Sequence, residues 1–272
     1  MTAAIDLPAD ELEAAAHDLE DADPEAILAW TYERFRRVAI VTSLQAGTVV
    51  LIDMASRLRS EVEVITLDTG RLPQETHDLM DEVRRRFRVR LHILTPEPGE
   101  VRSMTGEHGT NLFHLSPELR NLCCDVRKTR PLARALAGYD AWVTGLRRGQ
   151  ASTRRDTPVI ARDQAHGGIA KVAPLARWTN QDVWHHVRTH DLPSHALHAR
   201  GYTSIGCAPC TRATRPGEDE RAGRWWWEGD APKECGLHAA ARGLGAGAAT
   251  GRFTTGAAAS TNHLTTAPGA FQ

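Results

Sequence analysis

The sequence predicts an α/β fold with a mainly parallel sheet flanked by helices. Three observations lead there. Short apolar, β-branched runs alternate with helical stretches between Pro24 and Pro193. The loops after those runs are rich in Gly, Ser, Thr and Arg, as befits ligand loops at the carboxyl ends of parallel strands. The chain has 272 residues and a formal net charge of −1, enough length for one large hydrophobic core without staples.

The elements follow in order. Residues 1–24 carry carboxylates and no Lys or Arg, and read as an acidic helical arm. "PEAILAWTYERF" reads as a helix opened by Pro24. "VAIVTSL" (38–44) is a buried strand, "GTVVLIDMASRL" a helix and "EVEVITLD" (61–68) the next strand. "ETHDLMDEVRRRF" is an amphipathic helix with Leu79, Met80, Val83 and Phe87 on one face. "RLHILTP" and "AWVTGL" are a third and a fourth strand, and "IAKVAPL" (169–175) a fifth. "WTNQDVWHHVRTHDLP" is a helix with Thr179 as its cap, Asp182 as the cap's partner and a stop near Pro193. Loops dominate from Gly201. Half of the residues after His238 are Ala or Gly, so 239–272 reads as a disordered tail and 25–238 as a single α/β domain.

The near-neutral charge argues against bulk affinity for nucleic acid or membranes. Arginines 84, 85, 86, 88 and 90 of "RRRFRVR" are read as a solvated face. No run approaches the roughly 18 apolar residues of a membrane span. The acidic N-terminus lacks a signal peptide's basic start and apolar middle, so a cytoplasmic protein is expected. The strand-end loops are "TSLQAGT", "LDTGRLPQET" and "GLRRGQASTRRD". Their backbone N–H groups and Arg forks suit a phosphate or sulfate ester. Neither GxxxxGK[ST] nor GxGxxG occurs, so neither common nucleotide-binding signature supports the assignment.

Five cysteines in a chain this long are no disulfide framework; ligands or reactive thiols are expected. Cys207 and Cys210 form "CAPC", and Cys123 and Cys124 are adjacent in "NLCCDVRKTRP". Four thiolates suit zinc or an iron–sulfur cluster. The adjacent pair favours the cluster, because neighbouring side chains diverge and reach two irons more easily than one zinc. A redox pair or plain core thiols are the competing readings. Cys235 is left over, in "KECGLH" between Lys233 and His238. A thiol near cations is partly thiolate and hence nucleophilic; otherwise it is an idle surface cysteine.

Together "SLQ", "LDTG", "CCDVRK", "GLRR" with "TRR", "GYTSIGCAPCTR", "RAGRWWWE" and "KECGLH" resemble the iron–sulfur type of adenylyl-sulfate (APS) reductase, an enzyme of assimilatory sulfate reduction, from about Ser43 to His238. The resemblance implies an adenine-nucleotide α-hydrolase-like fold. It implies a [4Fe–4S] cluster on Cys123, Cys124, Cys207 and Cys210, and Cys235 as nucleophile. Lys128 matches a family lysine between cluster and substrate. Arg154, Arg221 and Arg224 match arginines facing sulfate and phosphate. His238 matches the histidine of the terminal motif, and Ser43, Asp68, Thr69, Gly70, Gly145 and Arg147 fall in the substrate loops. The implied reaction is reduction of APS to sulfite and AMP through a cysteine S-sulfonate, with thioredoxin as reductant.

Two departures stand out. "SLQAGT" replaces the "SGGxDS" loop of related ATP pyrophosphatases, which argues against ATP chemistry. The tail after His238 has no cysteine, so reductant is expected from a separate protein. The nearest rival is a reductase of 3′-phosphoadenylyl sulfate (PAPS), or one of dual specificity; PAPS reductases generally lack the cluster cysteines. A rival of another class is a zinc-stabilised nucleotide- or nucleic-acid-binding module. "RWWWE" is read first as packing over the cysteine loop, then as adenine stacking or a thioredoxin-docking patch.

Overall fold

A computed structural model describes residues 7–229 together with Glu234, Gly236 and Leu237. Val38–Thr42 (β1), Val62–Leu67 (β2), Val89–Leu94 (β3), Ala141–Thr144 (β4), Ile160–Asp163 (β5) and Ile169–Val172 (β6) form one six-stranded sheet in the order β3-β2-β1-β4-β6-β5. Every pairing is parallel except that of β5 with β6.

Alternation along the strands explains why both faces are covered. Val38 and Ile40 of β1, Val62 and Val64 of β2, and Ala141 and Val143 of β4 enter the main core. Ala39, Ile65 and Trp142 point the other way, against Leu132 and Leu136. Strands apolar on both faces are what a buried parallel sheet requires. The helices Ala46–Leu58 (α3), Gln74–Arg86 (α4) and Asn180–Thr189 (α8) contribute to the main core, α4 through Leu79, Met80 and Val83. Phe87 lies just past the end of α4 and packs at the core's margin. The capping box of α8 forms as expected: Asp182 N–H donates to Thr179 Oγ1 at 3.2 Å, and Thr179 N–H to Asp182 Oδ2 at 2.8 Å.

The structure adds elements that the sequence pattern does not announce. The strand β5 pairs with β6 as a hairpin, so "IAKVAPL" forms the sixth strand, not the fifth. Between β3 and β4 lie Pro98–His108 (α5), Pro117–Cys124 (α6) and Arg130–Leu136 (α7), the last two joined through a π-helical turn at Asp125–Thr129. The acidic arm forms Ala9–Asp18 (α1), whose Leu12 and Ala15 are buried in the main core; Pro24–Arg34 (α2) follows. Arginines 84, 85, 86, 88 and 90 are all exposed, a solvated face as read. A second apolar cluster gathers Met104, Leu112, Phe113, Val126 and Trp225 around Cys123, Cys124, Cys207 and Cys210.

Candidate active site

Strand order reverses between β1 and β4, and a crevice opens at their carboxyl ends. It is an open cleft lined among others by Ser43, Thr69, Lys128, Gly145, Arg147, Arg154, Arg221 and Arg224. Eight of the residues expected to bind substrate therefore share one cavity.

Local chemistry shapes its floor. Leu44 is buried and left-handed (φ 55°), an uncommon conformation for a branched side chain. Its N–H donates to Thr42 Oγ1 at 2.7 Å, and Thr42 Oγ1 bonds Thr48 Oγ1 at 2.6 Å. This tight turn delivers the start of α3 to the cleft, where no side chain caps the helix. Uncapped N–H groups there suit an anionic or polar ligand. Gly145 allows β4 to end against that helix: a Cβ would lie 2.7 Å from Thr48 Cγ2.

Asp68 and Gly70 serve the loop rather than the cleft. Asp68 Oδ1 accepts from Gly70 N–H at 2.9 Å, and Oδ2 lies 3.2 Å from His77 Nε2. Gly70 takes φ +68°, which a side chain would strain. Thr69, held between them, faces inward. Arg127 donates to its carbonyl at 2.7 Å, a support that the sequence reading missed.

The cations are partnered. Arg147 Nη2 reaches both carboxylate oxygens of Glu220, at 2.9 and 3.1 Å. Arg154 grips Glu234 through Nε (2.7 Å) and Nη2 (2.8 Å), and Arg221 reaches the same carboxylate at 3.4 Å. Burial works against the charge of Glu234, but Arg154 and Arg221 outweigh it and hold its carboxyl below the usual range. Arg224 stacks over Trp225 at 4.8 Å and packs on Gly206, where a Cβ would lie 2.2 Å from its Nη2. Glu220 and Glu234 went unassigned in the sequence because their partners lie far off in the chain.

Behind the cleft, all four expected ligand cysteines come together. Cys123 and Cys124 end α6; Cys207 and Cys210 bracket the 3₁₀ turn Ala208–Cys210. Each is buried, and they line one small cavity with Arg71, Phe113, Arg120, Arg127, Lys128 and Trp225. Burial pushes the Cys123 thiol up, and burial with the neighbouring Cys207 pushes Cys210 up to about 12. Burial opposes the charge of Cys207 too, yet the Lys128 charge and the Thr69 hydrogen bond bring it below its ordinary value. Four buried sulfurs ringed by cations are compatible with an iron–sulfur cluster. Trp225 is fully buried against this cavity, so its role is packing, not adenine stacking. Cys235 and His238 lie outside the described residues, as does the tail at 239–272.

Lys128 lines both cavities. The π-turn explains this. One extra residue per turn lets the segment after Cys124 aim a cation forward while α6 holds the sulfurs behind. Away from the site, Asp53, His186 and His190 bring three ligand atoms within 4.8 Å. There the Arg57 guanidinium already bonds Asp53 and supplies the positive charge.

The chain is similar to known proteins in both sequence and fold. A family model, the phosphoadenosine phosphosulfate reductase domain, matches residues 37–213. Proteins called adenosine 5′-phosphosulfate reductase are 48% identical over 214 residues in Burkholderia cepacia and 47% over 201 in Allochromatium vinosum. The matches cover 79% and 74% of this chain, and 85% and 78% of those proteins. A solved phosphoadenylyl-sulfate (PAPS) reductase from Candida auris superposes with TM-score 0.67 at 27% identity, covering 77% of this chain and 100% of that one. Candida glabrata FMN adenylyltransferase shares the fold alone, at 12% identity and TM-score 0.51 over 79% of this chain and 71% of its own. The architecture is thus the adenine-nucleotide α-hydrolase-like one expected. Shared over most of its length in both sequence and fold, the chain belongs to the phosphoadenosine phosphosulfate reductase family.

Proposed function

We propose that the protein reduces adenylyl sulfate to sulfite and AMP with thioredoxin as electron donor, in the cytoplasm, as a step of sulfate assimilation. The observation that carries this reading is Lys128, which lines both the cleft and the four-cysteine cavity. An anion in the cleft is then next to a cation whose other neighbour is a sulfur-ligand site. The names of the relatives support APS over PAPS as substrate.

In this reading Ser43, Thr69, Gly145 and the start of α3 hold the adenylyl part. Arg154, Arg221 and Arg224, with Lys128, face the phosphosulfate, whose charge must be compensated before a thiolate can approach. Arg147 is already paired with Glu220 and shapes the wall. The Cys235 thiolate attacks sulfur, the sulfur–oxygen bond to AMP breaks, and AMP leaves with the electron pair. A thioredoxin thiolate then attacks the Cys235 sulfur and expels sulfite. The second thioredoxin thiol closes the disulfide, so the two thiols supply both electrons. His238 belongs to the same terminal motif and is assigned to substrate binding. Cys123, Cys124, Cys207 and Cys210 would hold a [4Fe–4S] cluster, which when bound supplies structure and an electrostatic field rather than electrons.

Anaerobically purified protein given adenylyl sulfate without reductant tests this directly. Mass spectrometry should find one sulfite equivalent on the peptide containing Cys235, lost on adding reduced thioredoxin, with AMP released. The Cys235→Ser protein should keep iron and colour and make no sulfite. An adduct on Cys207 or Cys210 would overturn the assignment of both nucleophile and ligands. One zinc in place of iron and sulfide would favour the binding-module reading.

A further inference from the structure

Glu234 already sits where the substrate's anionic group is assigned. Its carboxylate receives the Arg154 fork on both oxygens, at 2.7 and 2.8 Å, the Thr153 hydroxyl at 3.1 Å and Arg221 at 3.4 Å. Its carbonyl accepts from Arg120 Nη1 at 3.1 Å. The Glu234 side chain is only 21% exposed. A carboxylate leaves water to this extent only when charged donors replace its hydration.

We propose that Glu234 is the resident anion of the sulfate site: in the free enzyme its carboxylate fills the Arg154–Arg221 cradle, and adenylyl sulfate binds by displacing it. The inference rests on the substrate reading above. Its physical basis is that a carboxylate and a sulfate ester both offer paired acceptor oxygens to an Arg fork. One fork cannot satisfy both, and two anions side by side repel. Occupancy by Glu234 therefore lowers apparent affinity by the fraction of molecules in which the cradle is open. The arrangement has two further effects. It keeps the guanidinium groups of buried Arg154 and largely buried Arg221 compensated while no substrate is present. It also makes filling of the cradle expel the residue that directly precedes Cys235 in the sequence.

Equilibrium binding tests it in the cluster-loaded Cys235→Ser protein, which cannot turn over. Adding Glu234→Gln keeps the shape and removes the charge. Adenylyl sulfate should then bind about tenfold tighter, adenosine with unchanged affinity, and Glu234→Asp should restore the weaker binding of the anion. Glu234→Ala should act in the same direction as Glu234→Gln, which guards against a fault peculiar to one variant. Unchanged or weaker binding of adenylyl sulfate in Glu234→Gln and Glu234→Ala would overturn the inference and make Glu234 a support for the arginines. Failure of the Glu234-intact protein to bind any adenylyl compound would instead defeat the substrate reading, and this inference with it.

Discussion

The Thr69 hydroxyl lies 3.2 Å from the Cys207 sulfur. The loop that lines the cleft and the loop that carries two of the four clustered thiols are thus bonded to each other. In the proposed reading, a change at the sulfurs is felt one bond away from the substrate.

Thr69→Val preserves shape and removes that bond together with the one its Oγ1 accepts from Arg71 N–H at 3.2 Å, at a cost of about 1–2 kcal/mol. The protein should fold and keep its iron, with a shifted visible spectrum and sulfite formation reduced a few-fold, and Thr69→Ser should restore both. A spectrum and rate identical to wild type would show that the contact couples nothing.

Each of Cys123→Ser, Cys124→Ser, Cys207→Ser and Cys210→Ser should lose iron, labile sulfide and activity together, because the cavity offers no spare sulfur among the described residues. Iron and sulfide analysis reads this. A brown, active Cys124→Ser protein would remove that residue from the ligand set.

Lys128→Ala should leave the fold intact and lower kcat/KM roughly 30- to 900-fold, the about 2–4 kcal/mol that one positioned cation at a reacting anion is worth. Steady-state kinetics under anaerobic conditions provide the check. An unchanged kcat/KM would reduce Lys128 to a structural charge.

Gly206→Ala would place a methyl group 2.2 Å from Arg224 Nη2 and push the guanidinium off its seat. Activity should fall about as far as in Arg224→Ala. Combining the two substitutions should add little, since both remove one interaction. Full additivity in that double-mutant cycle would mean that Gly206 acts on something other than Arg224.

His195 is buried and neutral by design of its contacts: Nδ1 accepts from Leu197 N–H at 3.2 Å, and Nε2 meets Thr76 Oγ1 at 2.9 Å. Burial and the neighbouring His198 lower its pKa from 6.5 to about 4. The unfolded chain therefore binds the extra proton first as pH falls. The stability that His195 contributes is complete above pH 6.5 and is lost between there and about pH 4, on the order of 3 kcal/mol. Thermal melts of His195→Gln against wild type should show a smaller fall in Tm across that window. Parallel curves would place the pH dependence elsewhere.

Much of this was legible in the chain. The strands β1 and β2 and the helix α4 announce themselves because apolar periodicity and burial coincide along them. The gathering of the four cysteines was legible because thiol spacing carries chemistry. The strand β5 was not, since Ile160–Asp163 ends in Arg162 and Asp163 and owes its form to the partner strand β6. The helix α5 buries only Met104 and so shows no apolar stripe. Within the site, Asp68 resembles a ligand for substrate but spends its carboxylate on Gly70 and His77. Glu220 and Glu234 matter through arginines far away in sequence, which no local pattern can reveal. Lys128 was legible as a neighbour of the cysteines, but its double placement depends on the π-turn.

The four sulfurs come from two stretches of chain, one ending α6 and the other beyond the last helix, with most of the sheet's second half between them. Whatever all four hold at once acts as a rivet through the molecule. It cannot be seated while the polypeptide is half made, since Cys207 and Cys210 are synthesised after β6 and α8. Once seated, it closes a long loop and withdraws from the unfolded chain much of its freedom to spread. Extracting it with a chelator should therefore cost more than catalysis: the segment from Cys207 to Trp225 should become the first part of the protein to yield to a protease.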